Sequence, residues 1–169
     1  MSAQKTEYKK RHDRVATAIH WAICKKYGLP HTEKWCDHRA EPVTENEHGK
    51  LLWDFSVQTN RTVEARRPDL ILIDKIVDEC KIIDVAVPGD TRVVKKEEEK
   101  IEKYRDLAIE IGRIWKKKAK TIPIVIGALG TLSKNHLMYL KELECNISFE
   151  TIQKTALLGT ARILRRTLY

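Results

Sequence analysis

A chain of 169 residues with 42% hydrophobic and 33% charged side chains is long enough for one domain with its own core and too apolar for a disordered tail. Its 32 lysines and arginines outnumber 24 acids, and the resulting charge of +8 and pI near 9.3 point to a polyanionic partner. No apolar run approaches the roughly 18 residues of a membrane span, and the charged start Met1 to Arg14 lacks the apolar stretch of a signal peptide, so an intracellular chain with no membrane partner is expected.

Apolar residues at Val15, Ala18, Ile19, Ala22 and Ile23 predict a helix over Tyr8 to Tyr27, stopped by Gly28-Leu-Pro30. Residues 31 to 49 are polar and read as a long loop. Leu51 to Thr59 alternates as a first strand, Asn60-Arg61 turns, and Val63 to Ile73 reads as a second strand with Pro68 near its start or at an edge. Lys81 to Val87 is the third strand, and Pro88-Gly89-Asp90-Thr91 breaks it, offering Asp90 or Thr91 as a helix cap. Val94, Ile101, Tyr104, Ala108, Ile111 and Trp115 then recur on one face, predicting one long helix of about six turns. Thr121 to Ala128 is the fourth strand, and Leu132 to Leu143 and Ser148 to Thr167 are two closing helices. The expected architecture is a single α/β domain over 1–169: an N-terminal helix in 1–30, a core in 51–128 and C-terminal helices in 131–169.

The second and third strands each hold an acid that an apolar strand has no packing reason to carry, Asp69 and Asp84, with fourteen residues between them. That separation fits the rest of one strand, a turn at Asp74 to Glu79 and the start of its neighbour, which would set the two carboxylates side by side. Paired carboxylates repel unless a cation lies between them, and Mg²⁺ needs only one or two carboxylates plus water and substrate phosphate. The same residues also fit a blander arrangement, with Asp69 ending a turn after Pro68 and Asp84 a satisfied edge acid.

The basic residues cluster at Arg113, Lys116, Lys117, Lys118 and Lys120, and again at Arg162, Arg165 and Arg166. The first cluster reads as a phosphate-binding patch or as a solvated helix end, and the second as DNA contact or as the polar side of a packed helix. Cys24, His31, Cys36 and His38 lie within fifteen residues and would suit tetrahedral zinc, but their spacing matches no recognised ligand pattern, which leaves a buried Cys24 and incidental loop histidines. The four cysteines lack a CxxC pair and read as buried free thiols. Gly127-Ala-Leu-Gly130 lacks the Lys-Ser/Thr of a nucleotide loop and reads as a tight turn.

The order αβββαβ with Pro68-Asp69 and Asp84 resembles the PD-(D/E)xK nuclease fold of restriction endonucleases and Holliday-junction resolvases. More narrowly, Trp53-Asp54-Phe55, Arg67-Pro68-Asp69, Ile83-Asp84-Val85-Ala86-Val87-Pro88, Glu99-Lys100, Lys103-Tyr104, Ile122-Pro123-Ile124-Val125-Ile126-Gly127 and Gln153-Lys154-Thr155-Ala156 resemble the restriction-like endonuclease domain of site-specific non-LTR retrotransposons. In those polyproteins a reverse transcriptase and a CCHC zinc knuckle precede the domain, and Ser2-Ala3-Gln4 resembles a start just beyond the knuckle.

The resemblance implies a restriction-endonuclease-like core, a mixed sheet flanked by helices with two extra C-terminal helices. It also implies a nuclear enzyme that nicks target DNA to prime reverse transcription, with Asp69 and Asp84 holding Mg²⁺ or Mn²⁺ and Asp54 assisting. The third-strand lysine of the broad fold is absent, because Ala86 fills its slot. Lys96, Lys100 and Lys103 run along one edge of the following helix, so Lys100 or Lys103 is expected to supply the catalytic ammonium and Tyr104 to orient it. Arg67, Lys96, Arg113, Lys116, Lys117 and Lys118 are the expected DNA contacts. Two alternatives stand beside this reading: an inert nucleic-acid-binding module that retains the fold, and a resolvase-like nuclease acting on branched DNA. For each helix lysine there is also a plain role, pairing with Glu97, Glu98, Glu99 or Glu102 on a solvated face.

Overall fold

The structure, a computed structural model, describes residues 2–168. Helix α1 spans Ala3–Tyr27, capped by Ser2, whose Oγ accepts the Lys5 amide at 3.3 Å, and closed by Gly28 in the left-handed conformation (φ 69°) that lets a chain leave a helix without steric cost. The chain then forms strands β1 (Val43–Glu45), β2 (Gly49–Trp53), β3 (Leu70–Asp74) and β4 (Glu79–Ala86), helices α2 (Val93–Lys103) and α3 (Arg105–Ile114), strand β5 (Lys118–Val125), and helices α4 (His136–Leu143) and α5 (Phe149–Leu168). The five strands make one sheet in chain order: β1 to β4 are antiparallel neighbours, and β5 joins β4 in parallel after the α2–α3 crossover. Among the described residues, no helix is long and apolar enough to cross a membrane.

Side-chain alternation sorts the core into two layers. On one face Leu70, Leu72, Ile83, Val85, Ile122 and Ile124 pack against α1, α4 and α5, and on the other Ile71, Ile73, Cys80 and Ile82 pack against Tyr104, Leu107 and Ile111. Asp84 has the parity of Cys80 and Ile82, so its side chain leaves the sheet on the α2–α3 face. That alternation decides which helix can supply its partner.

Several elements differ from expectation for identifiable reasons. The loop 31–49 holds a single 3₁₀ turn (Trp35–Asp37), strand β1 and the start of β2. The first expected strand stops at Trp53 because Asp54 turns into left-handed backbone (φ 49°), and the second begins only after Pro68, which cannot donate to a ladder. Val57 and Val63 remain apolar and buried, yet they fill the α2–α3 layer from an irregular stretch held by the Val57 amide donating to the Arg66 carbonyl at 2.8 Å. The long helix breaks at Tyr104 (φ −102°, ψ 10°) into α2 and α3. Lys116 (φ 53°) closes the end of α3 just past its Trp115 cap and turns the chain, and Lys118 opens β5. Asp90 caps no helix, and instead accepts the Leu129 and Thr131 amides at 3.2 Å, bracing the turn at Gly127-Ala-Leu-Gly130. Of the four free cysteines Cys24 and Cys80 are buried, Cys145 is half-buried, and Cys36 is exposed.

Helices α1 and α5 meet around Arg11, whose guanidinium donates to Thr160 Oγ1 at 3.0 Å and to the Val87 carbonyl at 3.1 Å, just past β4. Gly159 faces this side chain so closely that an added Cβ would lie 2.4 Å from Arg11 Cγ. Alanine normally gains about 1 kcal/mol over glycine within a helix. Here the overpacking cost of about 1–3 kcal/mol opposes that gain, because Arg11 cannot swing away without breaking its two bonds. Gly159→Ala is therefore expected to lower the urea midpoint, and a raised midpoint would contradict this packing.

Candidate functional site

The β3–β4 hairpin brings the two predicted carboxylates together. In the antiparallel register Leu70 faces Ile83, which sets Asp69, one residue before β3, beside Asp84. The pair is locked by backbone: the Asp69 amide donates to Asp84 Oδ1 at 2.9 Å, and the Val85 amide donates to Asp69 Oδ2 at 2.7 Å. Asp84 is buried, whereas Asp69 keeps one side open to solvent. A cavity of about 280 Å³ lies over that side, lined by Lys9, His12, Asp13, Trp53, Asp54 and Asp69.

Each carboxylate has one cationic partner, from opposite sides of the sheet. Lys100 reaches from the last turn of α2 to within 2.5 Å of Asp84 Oδ2. His12 projects from α1, its Nε2 2.9 Å from Asp69 Oδ2 and its Nδ1 3.0 Å from Asp13 Oδ1. Burial works against charge on Asp69, but the His12 contact and the Val85 amide outweigh it and hold the carboxyl below its ordinary range. Burial, and then the charge on Asp69, push Asp84 upward against the pull of Lys100. Tyr104 is buried nearby, and its phenol is raised first by burial and then by the charges of Asp84 and Asp69.

The other expected residues sit at various distances from this pair. Asp54 lines the same cavity, but its carboxylate is clamped by Arg67, Nε to Oδ1 at 2.9 Å and Nη2 to Oδ2 at 3.1 Å, and among the described residues it does not complete a three-acid cluster with Asp69 and Asp84. Arg67 is thus adjacent to a residue of the cavity wall and spent partly on Asp54. Lys103 is exposed, with its ammonium 5.1 Å from the centre of the Tyr104 ring, and Lys96 pairs with Glu99 at 3.0 Å. Lys118 is opposite Glu79 at the far end of β4, five residues and roughly 17 Å of strand from Asp84. Lys116 and Lys117 adjoin it, Lys117 paired with Asp78, while Arg113 pairs with Glu110 at 3.1 Å. The basic cluster and the acidic pair therefore occupy opposite ends of the strands. Arg166 pairs with Glu7 across the α1–α5 contact at 3.3 Å, and Arg162 and Arg165 are exposed on α5.

Lys9, His12 and Asp13 were not among the expected site residues. Their spacing i, i+3, i+4 puts them on one helix face, a signal present in the sequence on the polar side of a helix recognised only by its apolar side.

Two rigid carboxylates side by side, one partly open beneath a cavity, form a donor set suited to a hard divalent cation, which takes few protein oxygens and completes its shell with water and phosphate. Asp69 and Asp84 are the residues here that could hold such an ion.

In metal-free protein, burial lowers the His12 pKa, but the bonds to Asp13 and Asp69 overcome it and raise the group to about 10. Because the folded value is raised, the contribution to stability is fully present below about pH 6.5 and is lost as pH climbs through 10. Histidine-detected NMR with chelator present should show the His12 ring still protonated at pH 8; a midpoint near 6.5 would contradict the contact.

No protein-family model matches the chain, and no curated protein matches it.

Proposed function

We propose that this chain is a divalent-metal-dependent DNA endonuclease domain with a restriction-endonuclease-like core. The observation that carries the proposal is Lys100 on Asp84 at 2.5 Å, next to an Asp69–Asp84 pair that opens on a cavity. The sequence lacks the strand lysine of that nuclease pattern, and the ammonium from α2 supplies the same charge at the same carboxylate. This favours a working site over an inert nucleic-acid-binding module.

A metal held by Asp69 and Asp84 would polarise the scissile phosphate and activate water. The protein's own groups divide the remaining work. Lys100 hydrogen-bonds the attacking water and offsets the negative charge that grows on the phosphate oxygens. The Asp69 and Val85 amides fix the two carboxylates, so they need not reorganise during the reaction. His12, backed by Asp13, holds Asp69 from the solvent side, and Tyr104 walls Asp84 from water. Lys9, which lines the cavity, and Arg67, paired with Asp54 of its wall, would meet the backbone phosphates of the substrate. The resemblance extends the proposal to a nick in chromosomal DNA, in the nucleus, whose 3′ hydroxyl primes a reverse transcriptase of the same polyprotein.

Supercoiled plasmid with Mg²⁺ or Mn²⁺ tests the reading. Asp69→Asn and Asp84→Asn should each abolish nicking while leaving affinity for duplex DNA intact, because phosphate contacts dominate affinity. Lys100→Ala should slow nicking on the order of 100-fold and the exposed Lys95→Ala should not. Cleavage that survives both aspartate substitutions would remove the assignment. For binding, Lys9→Ala with Arg67→Ala should make the slope of log affinity against log salt shallower by about 0.9 for each DNA phosphate that is no longer neutralised. A shallower slope on replacing Lys116, Lys117 and Lys118 instead would move the DNA path to the other end of the sheet.

A further inference from the structure

Helix α1 carries a second cluster that the nuclease reading does not use. His20 and Cys24, one turn apart on its buried face, are 1% and 0% exposed, and His38 joins them from the segment between α1 and β1 at 8%. His20 Nδ1 lies 2.7 Å from His38 Nε2 and 3.5 Å from Cys24 Sγ. Among the described residues, this is the group of three His, Cys, Asp or Glu side chains whose ligand atoms all lie within 4.8 Å of one another. His31 and Cys36, the other zinc candidates in the sequence, are both exposed, and His31 Nδ1 contacts the Leu29 carbonyl at 2.9 Å.

A hydrogen bond between the rings accounts for only part of the arrangement. One N–H can bridge His20 Nδ1 and His38 Nε2, but it leaves the Cys24 thiol, 3.5 Å from that same Nδ1, with no free lone pair there to receive its proton. The cluster instead has the composition of a borderline-soft metal site: two imidazoles and a thiol, two of the three at i and i+4 on one helix face.

We propose that His20, Cys24 and His38 bind one Zn²⁺ through Nδ1, Sγ and Nε2, with water in the fourth position. Zn–N bonds of about 2.0–2.1 Å and a Zn–S bond of about 2.3 Å place tetrahedral ligands roughly 3.3 Å (N to N) and 3.6 Å (N to S) apart. The thiol contact already has that length, and the two rings must separate by roughly 0.6 Å. His38 can yield this distance, because it lies just beyond a single 3₁₀ turn rather than in a packed helix or strand. Protons balance simply: Cys24 releases its thiol proton to solvent, and each imidazole stays neutral with its N–H on the nitrogen away from the metal.

The ion would staple the 31–42 segment to α1. It would also act at a distance on the candidate nuclease cavity, since the Trp53 ring that lines that cavity meets His20 edge to face at 5.6 Å. The site is chemically separate from the Asp69–Asp84 pair, which offers hard oxygens only, and it does not depend on the nuclease reading.

The test is a Co²⁺ titration of the purified chain after dialysis against chelator, followed by Zn²⁺ displacement. A thiolate-to-cobalt charge-transfer absorption and the intense visible bands of a four-coordinate site are expected to saturate with one Co²⁺ at this cluster and to be lost on adding Zn²⁺. Cys24→Ser should remove the charge-transfer absorption, and His38→Ala should weaken metal binding by more than about tenfold. Cys36→Ser, His31→Ala and Asp84→Asn should titrate like the parent. If Cys24→Ser loses its helical circular dichroism, His38→Ala, altered only in a connecting segment, decides the matter. No thiolate absorption in the parent, or full metal affinity in folded His38→Ala, overturns the site.

Discussion

Everything around the candidate site answers one electrostatic problem: two carboxylates, Asp69 and Asp84, held side by side at the end of a hairpin, one of them buried. Like charges at that separation split their protonation equilibria unless positive charge is brought to them. The fold brings it from both layers, Lys100 from α2 and His12 from α1, while main-chain amides fix the geometry between. The helices are thus tied to the sheet by charge at its working end as well as by apolar packing along its length.

The break at Tyr104 serves both ties. A straight helix from Val93 to Ile114 would follow one line, whereas the bend lets α2 aim Lys100 at Asp84 while α3 lays Leu107 and Ile111 on Ile71 and Ile82. Tyr104 fills the corner, buried under both helices and beside the acids. Arg11 is the counterpart on the other face, where it joins α1 and α5 to the carbonyl of Val87 just beyond the acid-bearing strand.

The side-by-side placement of the two acids was legible because fourteen intervening residues fit a single reversal. The resemblance points to a lysine on the next helix, Lys100 or Lys103, and it is Lys100 that reaches Asp84 while Lys103 stays exposed. The ends of the strands were not legible, since Val57 and Val63 are as apolar as strand residues and only the tertiary fold leaves them in irregular chain. Nor was the helix break, because the apolar period runs unbroken through Tyr104 and no glycine or proline marks it. His12 was hidden on the polar face of α1, where periodicity records only that a side chain is not core. His20 was hidden on its apolar face, where one histidine among alanines and isoleucines carries no message until His38 comes to meet it.

The placement of the cation on α2 separates two things that a strand would join. A lysine at the Ala86 position would travel with Asp84 as part of one rigid ladder, and nothing short of unfolding could part them. Lys100 belongs to another element, connected to β4 through residues 87–89 and a short 3₁₀ turn at Asp90–Arg92. The acid pair and its ammonium therefore sit on separate elements, so a substitution that shifts α2 would change the charge beside Asp84 while every strand hydrogen bond stayed in place.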